Sequence, residues 1–422
     1  MKLSFAFSLG LLLAYPHSVL TAHHELDSQV TTSSRLLQLP DASLETRRSS
    51  KSTRQISLDL FASLERMARL VDISYCVGTT GVSKPFICAN RCRDFPALEL
   101  IKTWNTGILM SDSCGYIALD HGPNPGIIVA FRGTYSITNT VVDLTTVPQD
   151  YTPYPVPDDG RDREAHEYKC NNCTVHSGFF SSWKNARRIV VPELKSLREK
   201  FPTYKIHLVG HSLGGAVAAL AAAELKVGLG WDDLLVTTFG EPRVGNEGVA
   251  EFFDEVFGLN GSAVDASDAG NWMFRRVTHA NDPVPLLPPS QWGYRAHSGE
   301  IFISKLDLYP DLGDVQSCLG PSDPACIAGD EESASESTLA RVEEPRSSEG
   351  LVVPKDARSW TLENRRKLQA KAKAFGLEIP KLWELFFAHR DYFWRLGLCV
   401  PGGGFGDWDK HRYDLAEDND EL

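Results

Sequence analysis

One short stretch near the middle of the chain limits its fold more than any other. The apolar run Lys205-Ile-His-Leu-Val209 leads directly into Gly210-His211-Ser212-Leu213-Gly214-Gly215, and an Ala-rich segment reaching Lys226 follows. A strand that becomes a helix within so few residues brings two backbones too close for a Cβ at either flank. Gly210 and Gly214 meet that need. The serine between them stands at a helix N-terminus, where backbone N–H groups favour developing negative charge. Ser212 is therefore the candidate nucleophile. A plain glycine-rich turn would account for the glycines but not for the strand and helix around them. A phosphate-binding loop needs a Lys followed by Ser or Thr, which is missing here.

The surrounding pattern predicts the layers that hold this turn. Gly126–Phe131, Lys205–Val209 and Leu234–Phe239 are short apolar runs of the kind found in strands buried on both faces. Between them the spacing predicts helices over Trp183–Lys200 and Leu213–Lys226, and before them Leu58, Phe61, Leu64, Met67 and Leu70 predict a first helix running toward Tyr75-Cys76. Alternating strands and helices imply a parallel or mixed α/β sheet. Helical and aromatic patterning returns at Trp360–Phe375 and Leu382–Leu398.

With 42% hydrophobic residues in 422, most of the chain should pack. The net charge of −12 is local: residues 311–350 carry −8 and residues 407–422 carry −5, so the remainder is close to neutral. Such a body offers no footprint for nucleic acid. Met1-Lys2, the apolar run Leu3–Ala14 and the small residues near Ala22 form a signal-peptide pattern over residues 1–22, too short to span a membrane. Residues 23–55, rich in Ser, Thr and Arg, resemble a pro-segment or spacer. One catalytic domain is expected over 56–400, with a mobile acidic insertion at about 320–358 and an acidic tail at 401–422. Secretion implies an oxidising setting in which the nine cysteines pair, with one left over. Asn172-Cys173-Thr174 and Asn260-Gly261-Ser262 fit the N-glycosylation sequon. The terminal Asn419-Asp420-Glu421-Leu422 is one residue from an ER-retention signal, so residence in the ER lumen is the alternative to the extracellular space.

Several separated segments resemble the fungal class 3 triacylglycerol lipases of the α/β-hydrolase superfamily. Besides the turn at Ser212, these are Phe131-Arg132-Gly133-Thr134, Gly240-Glu-Pro242-Arg243-Val244-Gly245-Asn246, and Arg276-Val-Thr-His279-Ala-Asn281-Asp282-Pro-Val-Pro285, in the order of the family. The resemblance implies an α/β-hydrolase fold: a central, mostly parallel sheet flanked by helices, with an amphipathic lid and, here, a disordered acidic insertion. It also implies Asp282 as the acid that orients a base.

The base is the harder assignment. His207 and His211 are fixed beside the turn, and His279 precedes Asp282 in the same strand candidate. His297 matches a non-catalytic histidine of the family, which leaves His389, in Phe386-Phe-Ala388-His389-Arg-Asp-Tyr392-Phe393, where the family carries its base. The resemblance further places the oxyanion hole at the backbone N–H groups of Leu213 and Thr134. It pairs Cys76 with Cys399, Cys88 with Cys92, Cys170 with Cys173 and Cys318 with Cys326, leaving Cys114 free. Ile137, Val141 and Leu144 give one apolar face at i, i+4, i+7, where the family has its lid.

The expected activity is hydrolysis of acylglycerol esters through an acyl-enzyme, with no metal and no cofactor, by a monomer meeting a lipid or ester substrate at a lipid–water interface. A feruloyl or other soluble carboxylesterase is the alternative, and an inactive lipid-binding homologue is a third. Emulsified long-chain triglyceride against a soluble aryl ester separates the first two.

Overall fold

The computed structural model of the chain describes residues 54–107, 112–134, 148–153, 168–259, 266–329 and 388–400. These fall in the compact unit Arg47–Leu422. The leader, the spacer through residue 53, the lid residues Ile137, Val141 and Leu144, the second sequon at Asn260, the insertion beyond residue 329, the helical pattern at 360–375 and 382–387, and the tail lie outside the described residues.

An eight-stranded sheet forms the centre. Its strands are β1 (Leu98–Asn105), β2 (Cys114–Asp120), β3 (Gly126–Phe131), β4 (Lys205–His211), β5 (Leu234–Phe239), β6 (Phe274–His279), β7 (Glu300–Ile303) and β8 (Val315–Ser317). They lie side by side in chain order. β3 to β7 run parallel, while β1, β2 and β8 are antiparallel to their neighbours. Every residue of β3 is buried, as an apolar run covered on both faces should be.

Helix α1 (Leu58–Ile73) opens on the Ser57 hydroxyl, which accepts from the Leu60 N–H at 3.1 Å. Its buried stripe is Leu60, Phe61, Leu64, Met67, Leu70 and Val71, whereas Leu58 faces solvent. Helix α2 (Ser177–Lys200) begins six residues before the expected Trp183, because His176 accepts from the Phe179 N–H (3.4 Å) and starts a turn that carries little apolar signal. Helix α3 (Leu213–Ala223) is buried along its whole length, and its alanines allow close packing on the sheet. It ends three residues short of Lys226 in a wider turn over Glu224–Gly228. There the buried Glu224 accepts from the Trp183 indole N–H at 2.8 Å and from Arg187, contacts that periodicity does not reveal.

The segment 389–398 is irregular rather than helical and is closed by an Asp391–Arg395 bridge. It is packed against α1 through the edge-on pair Phe61–Phe393 at 5.2 Å. The four cysteine pairs expected from the resemblance are bonded here: Cys76–Cys399, Cys88–Cys92, Cys170–Cys173 and Cys318–Cys326. Cys114 is unbonded and buried, its thiol donating to the Val77 carbonyl at 3.3 Å. The Cys318–Cys326 loop packs against Ala280 and Phe302, so residues 320–329 of the expected insertion form part of the described body. No helix among the described residues is long and apolar enough to cross a membrane.

Candidate functional site

The candidate residues gather at the carboxyl ends of the parallel strands, where an open α/β sheet places its crevice. β4 delivers Ser212, with φ 58° and ψ −131°, a left-handed conformation that a non-glycine residue adopts only when its surroundings hold it. Those surroundings are visible. The Ser212 N–H donates to the Phe239 carbonyl at 2.9 Å, and the Gly215 N–H closes the first turn of α3 on the Ser212 carbonyl at 2.8 Å. A Cβ on Gly210 would collide with the backbone of Gly214, and one on Gly214 with the backbone of Phe131. Both glycines are there for the steric reason the sequence suggested.

β6 delivers Asp282. Its carboxylate accepts from the Val284 N–H at 2.9 Å, from His389 Nδ1 at 2.9 and 3.0 Å, and from the Tyr392 hydroxyl at 2.6 Å. A carboxylate accepts, so Nδ1 carries the proton and Nε2 is left as the acceptor. Burial, and then the Asp282 charge, push the Tyr392 hydroxyl well above its ordinary range, which keeps it a donor. Gly240, with φ 57°, leaves room for all three groups: a Cβ there would lie 2.7 Å from the Tyr392 hydroxyl, 2.8 Å from His389 and 3.0 Å from Asp282.

Ser212 Oγ and His389 Nε2 are both buried, and neither has a hydrogen-bond partner among the described residues. A buried polar atom left unpaired is costly and needs a reason. The contact between such a nucleophile and its base often tightens only in the Michaelis or transition-state complex. As the first residue of α3, Leu213 has an N–H with no intrahelical acceptor. Thr134 follows β3 and Gly133, and Gly133 is confined by Tyr75, His211 and Ser212.

The other four histidines weighed as the base are accounted for. His211 stacks on His389 with ring centres 4.7 Å apart. Its Nε2 lies 2.8 Å from the His389 carbonyl and its Nδ1 2.5 Å from the Tyr75 hydroxyl. Burial holds its pKa well below the usual imidazole range. It is therefore neutral, donating to His389 and accepting from Tyr75. His297 is buried against Phe274, with Nε2 3.1 Å from Glu241 and Nδ1 2.8 Å from the Ser298 carbonyl, so both of its nitrogens are engaged away from Ser212. Burial lowers the pKa of His279, which lies beside Tyr392. His207 sits at the opposite, N-terminal end of β4.

Glu300, Cys318 and Cys326 are close enough together to suggest a metal site, but the two sulfurs are bonded to each other and Glu300 is held by Arg276 (2.9 Å) and Thr278 (2.7 Å). That cluster offers no thiolate. The sequence pattern does not reveal the contacts that Tyr75 and His211 make with each other or that His211 makes with His389. The only hint of Tyr392 is a hydroxyl-bearing residue three positions after His389 in an otherwise apolar run.

A mostly parallel sheet flanked by helices, with a tight serine turn at the carboxyl end of a central strand, defines the α/β-hydrolase class. Comparison with known proteins narrows this further. The family model "Lipase (class 3)" matches residues 128–292. The secreted mono- and diacylglycerol lipase 2 of Gibberella zeae is 54% identical over 389 residues, covering 89% of this chain and 90% of that protein. Lipase A of Sodiomyces alcalophilus is 54% identical over 379 residues, covering 85% and 86%. The crystal structure of Lip2 lipase from Yarrowia lipolytica superposes with a TM-score of 0.62 at 29% identity, covering 82% of this chain and 98% of that one. The chain belongs to the class 3 lipase family and is a carboxylic ester hydrolase.

Proposed function

We propose that this enzyme is an extracellular acylglycerol hydrolase that works through Ser212, His389 and Asp282. The observation that carries the reading is the pair of buried, unpartnered atoms Ser212 Oγ and His389 Nε2, with the other nitrogen of His389 held by Asp282. Ser212 Oγ attacks the ester carbonyl while its proton passes to His389 Nε2, and Asp282 stabilises the imidazolium that forms. The N–H groups of Leu213 and Thr134 receive the oxyanion. Collapse expels the glyceride alcohol with the proton from His389, and water then repeats the sequence on the acyl-enzyme.

Two relatives, the 54% identical one from Gibberella zeae and one from Penicillium cyclopium, are named as mono- and diacylglycerol lipases. Partial acylglycerols therefore head the substrate panel, with the apolar face of Ile137, Val141 and Leu144 as the element that meets the lipid surface. Export through a leader at residues 1–22 fits the four disulfides, which persist in oxidising compartments. The test is covalent. An alkyl phosphonate should mark Ser212 alone, and Ser212→Ala should lose ester hydrolysis by several orders of magnitude while keeping its unfolding transition. Labelling of another serine would overturn the assignment. Emulsified mono-, di- and triacylglycerols beside a soluble aryl ester then set the substrate class, and a preference for the aryl ester would overturn the acylglycerol reading.

A further inference from the structure

Away from the serine turn, the segments Pro148–Asp150, Thr174–His176, Gly245–Asn246 and Tyr294–Arg295 form a small four-stranded sheet. A groove of about 320 Å³ opens on it, lined in part by Thr174, Asn246, Trp292 and Tyr294. Its chemistry is mixed in a particular way. Trp292 is 44% exposed, and the buried Tyr294 hydroxyl has no hydrogen-bond partner among the described residues. A single exposed indole is ordinary on a protein surface. The Tyr294 hydroxyl is sealed below the surface, so what the groove offers the apolar C–H face of a sugar ring is the exposed indole of Trp292, across from the Thr174–Asn246 edge.

The Asn172-Cys173-Thr174 sequon is fastened to this groove. Asn246 Nδ2 donates to the Asn172 carbonyl at 2.7 Å, and the Thr174 N–H donates to Asn246 Oδ1 at 3.0 Å. The Cys170–Cys173 bridge closes the loop from the other side. Asn172 is exposed at a turn with φ 52°, a left-handed conformation that asparagine tolerates better than most residues. Its side-chain amide makes no hydrogen bond among the described residues, so a substituent on it breaks nothing.

We propose that Asn172 carries an N-linked glycan whose first sugars lie in this groove against Trp292. In the attachment, Asn172 Nδ2 bonds to the anomeric carbon of a lipid-diphosphate-linked oligosaccharide. The bond from that carbon to the diphosphate oxygen breaks, the diphosphate leaves with the electron pair, and the amide proton passes to the transferase. No oxidation or reduction is involved. The glycan thereby covers the indole. The inference rests on the extracellular reading above, since only a chain that enters the secretory route meets the donor.

The test uses the full chain secreted from a glycosylating yeast. Glycosidase release in heavy-oxygen water should convert Asn172 to isotope-marked Asp in the peptide that holds it, and both Asn172→Gln and Thr174→Ala should remove that glycan. Enzymatic trimming of the folded protein should then speed hydrogen exchange several-fold in the peptide containing Trp292 and Tyr294, with distant peptides unchanged. This second arm does not depend on any variant folding. An unmodified Asn172 in enzyme recovered from the medium overturns the inference and leaves the secretory reading standing. A modified Asn172 with unchanged exchange at Trp292 overturns the groove. A chain that never reaches the medium counts against the secretory reading itself.

Discussion

At the scale of single residues, the proposed chemistry turns on which histidine is the base. His389 has one nitrogen on Asp282 and the other unpartnered, whereas His297 has both nitrogens engaged, by Glu241 and by the Ser298 carbonyl. His389→Ala should therefore lower kcat by several orders of magnitude, while His297→Ala should act mainly on stability. Turnover lost in a folded His297→Ala and kept in His389→Ala would reverse the assignment. Tyr392 offers a finer probe, because its hydroxyl donates to the same carboxylate oxygen as His389 at 2.6 Å. A hydrogen bond to a charged group contributes about 1.5–3 kcal/mol. Tyr392→Phe keeps the ring and should lower kcat roughly 10-fold or more, with KM little changed and the acidic limb of the pH–rate profile moved. An unaltered profile would reduce Tyr392 to packing. Ser212 was legible in the sequence because its neighbours have a steric job that only glycine does. Tyr392 was not, because its partner Asp282 lies 110 residues away in the chain.

At the scale of elements, burial on both faces did not by itself make a strand legible: β3, β4 and β5 stand out as short apolar runs, whereas β2, buried along its whole length, does not. β3 is an unbroken apolar run, and β5 is one interrupted only by Thr237 and Thr238 before Phe239. β1, Leu98-Glu-Leu-Ile-Lys-Thr-Trp-Asn105, is half exposed, and a register shift between Leu100 and Lys102 breaks its alternation. The apolar pattern runs past the end of α3 because Leu225 and Val227 continue it, whereas the turn there is set by Glu224 reaching Trp183 and Arg187 on α2. The Cys76–Cys399 bridge joins the end of α1 to the segment bearing His389 across 323 positions. Cross-links over long loops remove the most freedom from the unfolded chain. Cys76→Ser should lower stability by roughly 2–5 kcal/mol in chemical denaturation. A difference below about 1 kcal/mol would mean that the Phe61–Phe393 contact and its neighbours hold this segment unaided.

At the scale of the whole molecule, buried titratable groups determine how the fold responds to acid. Burial, and then the charge of Arg66, push His207 down from 6.5 to about 4, and burial also lowers His211 and His279. Between those two pH values the unfolded chain binds a proton at His207 that the folded chain refuses. Its contribution is complete above about pH 6.5 and is lost as pH falls toward 4, up to about 3 kcal/mol at 1.36 kcal/mol per unit. Asp72 and Asp254, raised by burial, act in the opposite sense, because the folded state takes up their protons first and gains stability on acidification. The net slope of the wild type therefore mixes both contributions, and the share of His207 is read by difference. His207→Gln keeps a neutral polar side chain at the start of β4, far along that strand from Ser212. Unfolding free energies of the two proteins, measured from pH 7 to pH 4, should converge or cross as the wild type loses stability that the variant retains. Parallel curves would mean that His207 titrates alike in the folded and unfolded chains, and that the acid response lies with the other buried groups.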